Sequence, residues 1–360
     1  MARIAQARQA LMVEGKSSTP GSVAPWVERS WQRCLGLGMQ PDTKVAFEQI
    51  SVPRLRDTLD ANRGLIQAAQ PILHSLARAI VNTRYFAILT NAHGVVVDAC
   101  GAIDHSDQRA HLITRVGTDL SEHRIGTTAI GTALTELQPV WLHRGEHFFH
   151  STSAYSCAGA PLFGPDGACV GMLDVTGVDA QERPELKHLV MQSASKIENA
   201  LVSAQAHALM LRLNWPGNAF GSDADGLLCL DVEGWITGAN PVARQMVPGL
   251  PAPDQAAVHV SEVFGLPFEP LFDAAKHPAS PLELPLWSGL RLQAQAIARH
   301  TESHSLQASH PAATALALRD VEAAMIRKAL EEARGNVGQA ARALGIGRAT
   351  LYRKLGSKPA

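Results

Sequence analysis

Apolar residues recur along the chain with two different periods, and each change of period predicts a change of element. Residues 1–75 read as helical. PWVERSWQRCLGLGM places Trp26, Ser30 and Arg33–Cys34 at helical intervals, and Gly36 and Gly38 end the run. In residues 53–80, Leu55, Leu59, Leu65–Ile66, Ile72–Leu73 and Leu76 repeat near a 3.6 period, with Pro71 marking a new helix or a kink. From residue 85 the period shortens. YFAILT and VVVDACG flank the turn-prone Asn91-Ala92-His93-Gly94, a hairpin signal. GTTAIGTALTEL predicts a short helix, QPVWLH a strand, and CAGAPLF–GPDG–ACVGMLDVTG a second hairpin around Pro165-Asp166-Gly167. A long amphipathic helix is expected at about 183–213, with Leu186, Leu189–Val190, Ile197, Leu201 and Leu209 on one stripe. WPGNAFGSD reads as a linker. GLLCLD–VEG–WITGANPVARQMV then predicts strand, turn, strand and a helix capped by Asn240 with Pro241 at its first position. Residues 248–311 are rich in Pro and Ala, with weak strand signals around 263–272 and 282–297.

The last helical stretch has a different character. Leu318, Val321, Met325, Ala329 and Ala333 form one stripe ended by Gly335. Asn336 and Gln339 suit a capping-box-like start to VGQAARAL, the turn Gly345-Ile346-Gly347 follows, and RATLYRKL makes a third helix. This is helix-turn-helix spacing. Ala341 is small where the helices cross, and Gly345 supplies the backbone freedom of a tight turn. Arg348, Thr350, Tyr352, Arg353 and Lys354 point outward.

Charge sharpens that picture. The whole chain has a formal net charge of −1 over 360 residues, but residues 316–360 carry nine Lys/Arg against four Asp/Glu. Residues 334–360 hold six basic residues and no acidic one, a one-signed footprint for phosphates. No apolar run approaches the ~18 residues of a membrane span. The N-terminus does not read as a signal peptide. The five cysteines are scattered and show no CxxC, which fits free thiols in a reducing cytoplasm. His143, His147 and His150 mimic metal-ligand spacing, but Gly145 and the preceding strand break the helix that would align them. No metal or cofactor is expected, and no catalytic residue: neither Cys157 nor Cys169 has a neighbour that would lower a thiol pKa.

The run ALEEARGNVGQAARALGIGRATLYRKL resembles the Fis-type helix-turn-helix of bacterial enhancer-binding regulators. The resemblance implies that Arg348, Thr350 and Arg353 meet base edges or nearby phosphates, and that Asn336 and Lys354 meet the backbone. Gln339 and Tyr352 complete the expected DNA-facing set. Arg29-Ser30-Trp31, LTNAHGVVVDACG, SEHRIGTTAIGTAL, GEHFF, CAGAPLFGPDG and GMLDVTG resemble the N-terminal half of acetoin-catabolism-type regulators, in the sigma-54 enhancer-binding family. That resemblance implies a GAF sensor whose pocket residues include Glu122, Thr127, Thr128, Ile130, His147, Phe148, Cys157 and Asp174. Glu122 has an alternative role capping the following helix, and Asp174 one satisfying a strand end. Residues 225–246 resemble the opening of a PAS domain.

The expected class is α+β: a GAF-type antiparallel sheet with flanking helices, a degenerate PAS-like module and an all-α C-terminal helix-turn-helix. The expected division is an N-terminal helical region 1–69, a GAF sensor 70–212, a linker 213–224, a PAS-like module 225–300, a linker 301–315 and the DNA-binding unit 316–360. The one Gly-Lys-Ser, at 15–17, has Ala10 where a phosphate-cradling loop needs Gly, so no ATPase motor is expected. Together these features imply a ligand-responsive regulator that acts as a homodimer on a double-stranded DNA operator, with a small-molecule effector and RNA polymerase as further partners. The alternative is a sensory interaction module that pairs with, or inhibits, a full-length regulator.

Overall fold

A computed structural model describes residues 2–298 except 18, 20, 278 and 279, and beyond them only residues 333, 337, 339 and 341. Residues 1–299 form one compact unit and residues 300–360 another. Val337, Gln339 and Ala341 are helical and Ala341 is buried, within the expected VGQAARAL helix. The expected DNA-facing residues Asn336, Arg348, Thr350, Tyr352, Arg353 and Lys354 lie outside the described residues.

Helices α1 (Ala2–Arg8, continued by a π-turn to Val13) and α2 (Pro25–Gly36) open the chain. Helices α3 (Val52–Ala61) and α4 (Arg63–Ala79) follow. Pro71 neither starts nor ends a helix. It sits on the exposed side of α4, while Leu65, Ala69, Leu73 and Leu76 are buried on the other and hold the helix through it. The expected boundary at 69/70 therefore falls inside one helix.

Strands β1 (Tyr85–Asn91) and β2 (Val96–Gly101) make the first hairpin. Asn91 Oδ1 accepts from the amides of His93 and Val95, both at 3.0 Å, and Gly94 takes φ +79°, so the Asn-Ala-His-Gly turn forms for the reason its residues suggest. Then come α5 (Gln108–Thr114), α6 (Glu122–Ile125), α7 (Ala129–Glu136) and β3 (Val140–His143). Strands β4 (Tyr155–Phe163) and β5 (Cys169–Val178) complete an antiparallel sheet of order β2-β1-β5-β4-β3. Its two faces alternate along each strand. Ala87, Leu89, Ala158, Ala160, Leu173 and Val175 pack on α4 and on α8 (Leu186–Ala204). Ile88, Cys157 and Met172 point the other way, towards Ile113, Leu120, Ile125 and Ile130.

The second sheet corrects two expectations. The long helix stops at Ala204 instead of running to 213, and Leu209–Asn214 is strand β6. Leu209, Leu211 and Leu213 are buried while Met210 and Arg212 are partly exposed, a period of two that overrides the helical spacing from Leu201 to Leu209. With β7 (Gly226–Leu230), β8 (Ile236–Ala239), β9 (Leu282–Pro285) and β10 (Arg291–Ala298), β6 forms a sheet of order β8-β7-β6-β10-β9. The middle strand of the PAS-like module thus comes from residues preceding 225. Helices α9 (Pro241–Met246), α10 (Val260–Val263) and α11 (Glu269–Ala274) cover this sheet. The strand signal at 263–272 resolves into the end of α10 and the start of α11. Asn240 caps α9 as expected, its Oδ1 accepting from Ala243 N at 2.8 Å.

Candidate effector-binding site

The cavity-side face of the first sheet places Asp174 and Thr176 on β5 beside Cys157 on β4, where Cys157 is the direct cross-strand partner of Thr176. These residues, with Thr128, Ile130, His147, Thr152 and Tyr155, surround a cavity of about 30 Å³. Phe47, Ile88, Ile113, Leu120, Ile125 and Ala129 supply its apolar walls. That volume holds a water molecule or two, so a ligand must be small or must push the walls apart. Gly159 pairs with Asp174 across the strands, and a Cβ there would lie 2.0 Å from Met172 Cε.

The polar side of the cavity is a connected chain. His147 Nδ1 lies 2.9 Å from the carbonyl of Arg144, so the proton sits on Nδ1 and Nε2 is a bare acceptor. Burial drives the His147 pKa down to about 4, keeping the ring neutral. Cys157 Sγ is 3.6 Å from that Nε2, and burial pushes its thiol pKa well up, so it donates as S–H. Thr176 Oγ1 is 3.2 Å from Cys157 Sγ and also bonds Asp174 Oδ2. Asp174 is fully buried, and burial pushes its pKa up to about 7. When it is protonated, every donor in the row finds one acceptor: Asp174 to Thr176, Thr176 to Cys157, Cys157 to His147, His147 to Arg144. One atom is left over. Asp174 Oδ1 is buried and has no partner, and leaving such an acceptor unmet costs about 1–3 kcal/mol.

The eight expected pocket residues divide between two places. Thr128, Ile130, His147, Cys157 and Asp174 line the cavity. Glu122, Thr127 and Phe148 do not, because the N-terminal helices cover them from outside. Arg33 Nε and Nη2 grip Glu122 at 2.5 and 3.0 Å, and its Nη1 reaches Glu136 at 2.7 Å; Arg29 also pairs with Glu136. Glu122 therefore receives α2 instead of capping a helix. Ser30 Oγ sits 2.7 Å from both Glu122 Oε2 and Thr127 Oγ1, and Trp31 Nε1 donates to the carbonyl of Glu146 at 2.9 Å. The Arg29-Ser30-Trp31 motif is thus a clamp that fixes α2 on the segments carrying Thr128, Ile130 and His147. Phe148 packs with Val27 and Trp31 in the core beneath that clamp. Arg8 of α1 closes it, donating to the carbonyls of Gly145, His147 and Phe148 at 3.2, 2.6 and 2.8 Å.

Tyr155 and Thr176 were not singled out from sequence, although each stands two positions from an expected residue, the spacing that shares a sheet face. The three histidines diverge: His143 bonds Ser156 Oγ at 2.7 Å, His147 is buried, and His150 lies 3.7 Å from Asp42 at the surface. Among the described residues, no three His, Cys, Asp or Glu side chains are grouped to hold a metal ion. No helix among them is long and apolar enough to cross a membrane.

Residues 317–356 match the Fis family of bacterial regulatory proteins. The acetoin catabolism regulatory protein of Cupriavidus necator is 30% identical over 254 residues, covering 69% of this chain and 37% of that protein. The propane 2-monooxygenase operon transcriptional activator of Mycolicibacterium goodii is 34% identical over 185 residues, covering 51% of this chain and 30% of that protein. The chain thus spans about a third of the length of these relatives. The E. coli DhaR(N)–DhaL complex contains a chain with TM-score 0.48 and 17% identity, covering 75% of this chain and 98% of that one. Residues 2–199 match the MimR N-terminal domain, and the chain belongs to that family.

Proposed function

We propose that this chain is a DNA-binding transcriptional regulator whose state responds to a small uncharged molecule held against Asp174. The observation that carries the sensing half is the unpartnered, buried Asp174 Oδ1 at a cavity with apolar walls. Among the described residues no cationic side chain lines that cavity, so none of them compensates an anionic ligand. The free oxygen is an acceptor, which calls for a ligand hydroxyl as donor. The two relatives are named for acetoin catabolism and for a propane 2-monooxygenase operon, and acetoin and propane are both small and uncharged.

The DNA-binding half rests on the Fis-family match and on the one-signed charge of residues 334–360. Arg348, Thr350 and Arg353 are assigned to base edges and adjacent phosphates, and Asn336 and Lys354 to the backbone. A homodimer would set two recognition helices into successive major grooves about one helical turn apart. Without a phosphate-cradling loop in these 360 residues, regulation proceeds by direct repression or by recruiting polymerase.

Fluorescence anisotropy with DNA from the promoter beside its own gene, at fixed salt, tests both halves. Arg348→Ala and Arg353→Ala should each weaken binding by about 10-fold. Acetoin should shift the affinity of the unaltered protein. Unchanged affinity in both variants would remove the DNA-reading assignment and favour a sensory module that acts by pairing with another regulator.

A further inference from the structure

The hairpin formed by β4 and β5 joins the cavity to the second module, which α8 also touches through Val202, packed on Leu227 and Cys229, and through Asn199, bonded to Asn240 at 2.8 Å. The body of the hairpin carries Cys157, Asp174 and Thr176, the polar side of the cavity. Its tip, Gly164-Pro165-Asp166-Gly167, leaves the first sheet and enters the second module. There the carbonyl of Pro165 accepts two hydrogen bonds, from Ala239 N and from Arg244 Nη2, both at 2.8 Å. Arg244 Nη1 donates at 2.6 Å to the carbonyl of Pro251 in the module's own loop. One guanidinium thus ties the tip to the module. The fit is tight enough to require glycine on both sides. A Cβ on Gly238 would stand 2.9 Å from Pro165 Cβ, and one on Gly167 would stand 2.9 Å from Arg244 Cζ.

The geometry points to the β4–β5 hairpin as the element that passes the state of the cavity to the second module, with Arg244 as the clasp at its far end. Two packed strands in a fixed register move together, so a ligand that spreads Cys157 and Asp174 from Ile113, Leu120 and Ile125 must tilt the tip held by Arg244. Helix α8 offers a different route, through residues 205–208 into β6 and through its own packing on β7; unlike the hairpin, it carries none of the cavity's polar residues. Coupling through the clasp must be reciprocal: freeing the tip must change access to the cavity.

That reciprocity is testable without any effector. Cys157 faces the cavity, whereas Cys34 is buried on α2 away from it. The full chain is treated with methyl methanethiosulfonate, and labelling of each cysteine is followed by peptide-resolved mass spectrometry. Arg244→Ala should speed labelling of Cys157 by about five-fold relative to Cys34. Arg244→Met, which keeps the stem but not the clasp, should do the same, separating loss of the clasp from loss of packing in the alanine variant. A two-glycine insertion between residues 205 and 208 should leave the Cys157 rate unchanged. The hairpin route is overturned if Cys157 labels at its original rate in both Arg244 variants, if it rises only in step with Cys34, or if the insertion alone accelerates it. The inference rests on the cavity as the sensing site, but its test involves no alcohol. A failure of acetoin to bind and a failure of the hairpin route therefore give separate results.

Discussion

Two buried aspartates, one in each sheet, show how differently the same side chain is used. Asp225, at the head of β7, is fully buried and accepts from Asn214 Nδ2 at 3.1 Å, Gly221 N at 2.6 Å and Ser222 Oγ at 3.2 Å, with Arg212 at 3.5 Å. Asp174 is just as buried, has only Thr176, and leaves one oxygen unmet. The first carboxylate is part of the scaffold: it fixes the loop between β6 and β7. The second is held at a cost in stability, and it sits at a cavity. The difference teaches that burial alone does not mark a functional carboxyl; an unmet oxygen beside open volume does.

Substitutions can break that comparison. The largest effect is expected at Asp225. Asp225→Ala should lower the unfolding free energy by about 3 kcal/mol in urea titration, because it strands Asn214, the Gly221 amide and the Arg212 guanidinium together. A change below about 1 kcal/mol would make Asp225 as dispensable as a surface group. Next comes Arg33→Ala, which removes the main grip of α2 on Glu122 and Glu136. It should cost about 2 kcal/mol and open the N-terminal helices to limited proteolysis before the rest of the chain.

At low pH Asp174→Asn should have the smallest effect on stability, and its effect should depend on pH. Asp174 binds its proton more tightly folded than unfolded, since its pKa rises from 3.8 to about 7 on burial. Its favourable contribution is therefore complete below pH ~4, is lost as pH climbs towards 7, and changes no further above that. The asparagine variant should match the unaltered protein at low pH and exceed it increasingly as pH rises towards 7, with no further gain above that. A constant difference between the two across this range would mean that Asp174 is ionised throughout.

Much of this arrangement was legible in the residues. Both hairpins of the first sheet follow from their turn chemistry, and α9 from Asn240-Pro241. Five of the cavity residues were picked out through motif resemblance. The same resemblance groups Glu122, Thr127 and Phe148 with them. Only the packing of α2 reveals that they face outward, onto Arg33, Ser30 and Trp31. That docking is a long-range event no local pattern encodes. Strand β6 was hidden for another reason. Leu201 and Leu209 continue a helical stripe, and only pairing with β7 and β10 selects the competing two-residue period of Leu209, Leu211 and Leu213. The role of the Pro165 turn beyond the hairpin was likewise invisible, because its partners at Ala239 and Arg244 lie more than seventy residues away.

The claim that the cavity selects a small uncharged hydroxyl compound is tested most directly by isothermal titration calorimetry on the full chain and on Asp174→Leu. Acetoin and propan-2-ol are set against acetate and lactate at one pH and ionic strength. The alcohols should bind the unaltered protein, the two anions should not, and the leucine variant should bind none of the four. Acetate or lactate binding as tightly as the alcohols, or an alcohol affinity that survives Asp174→Leu, would contradict it.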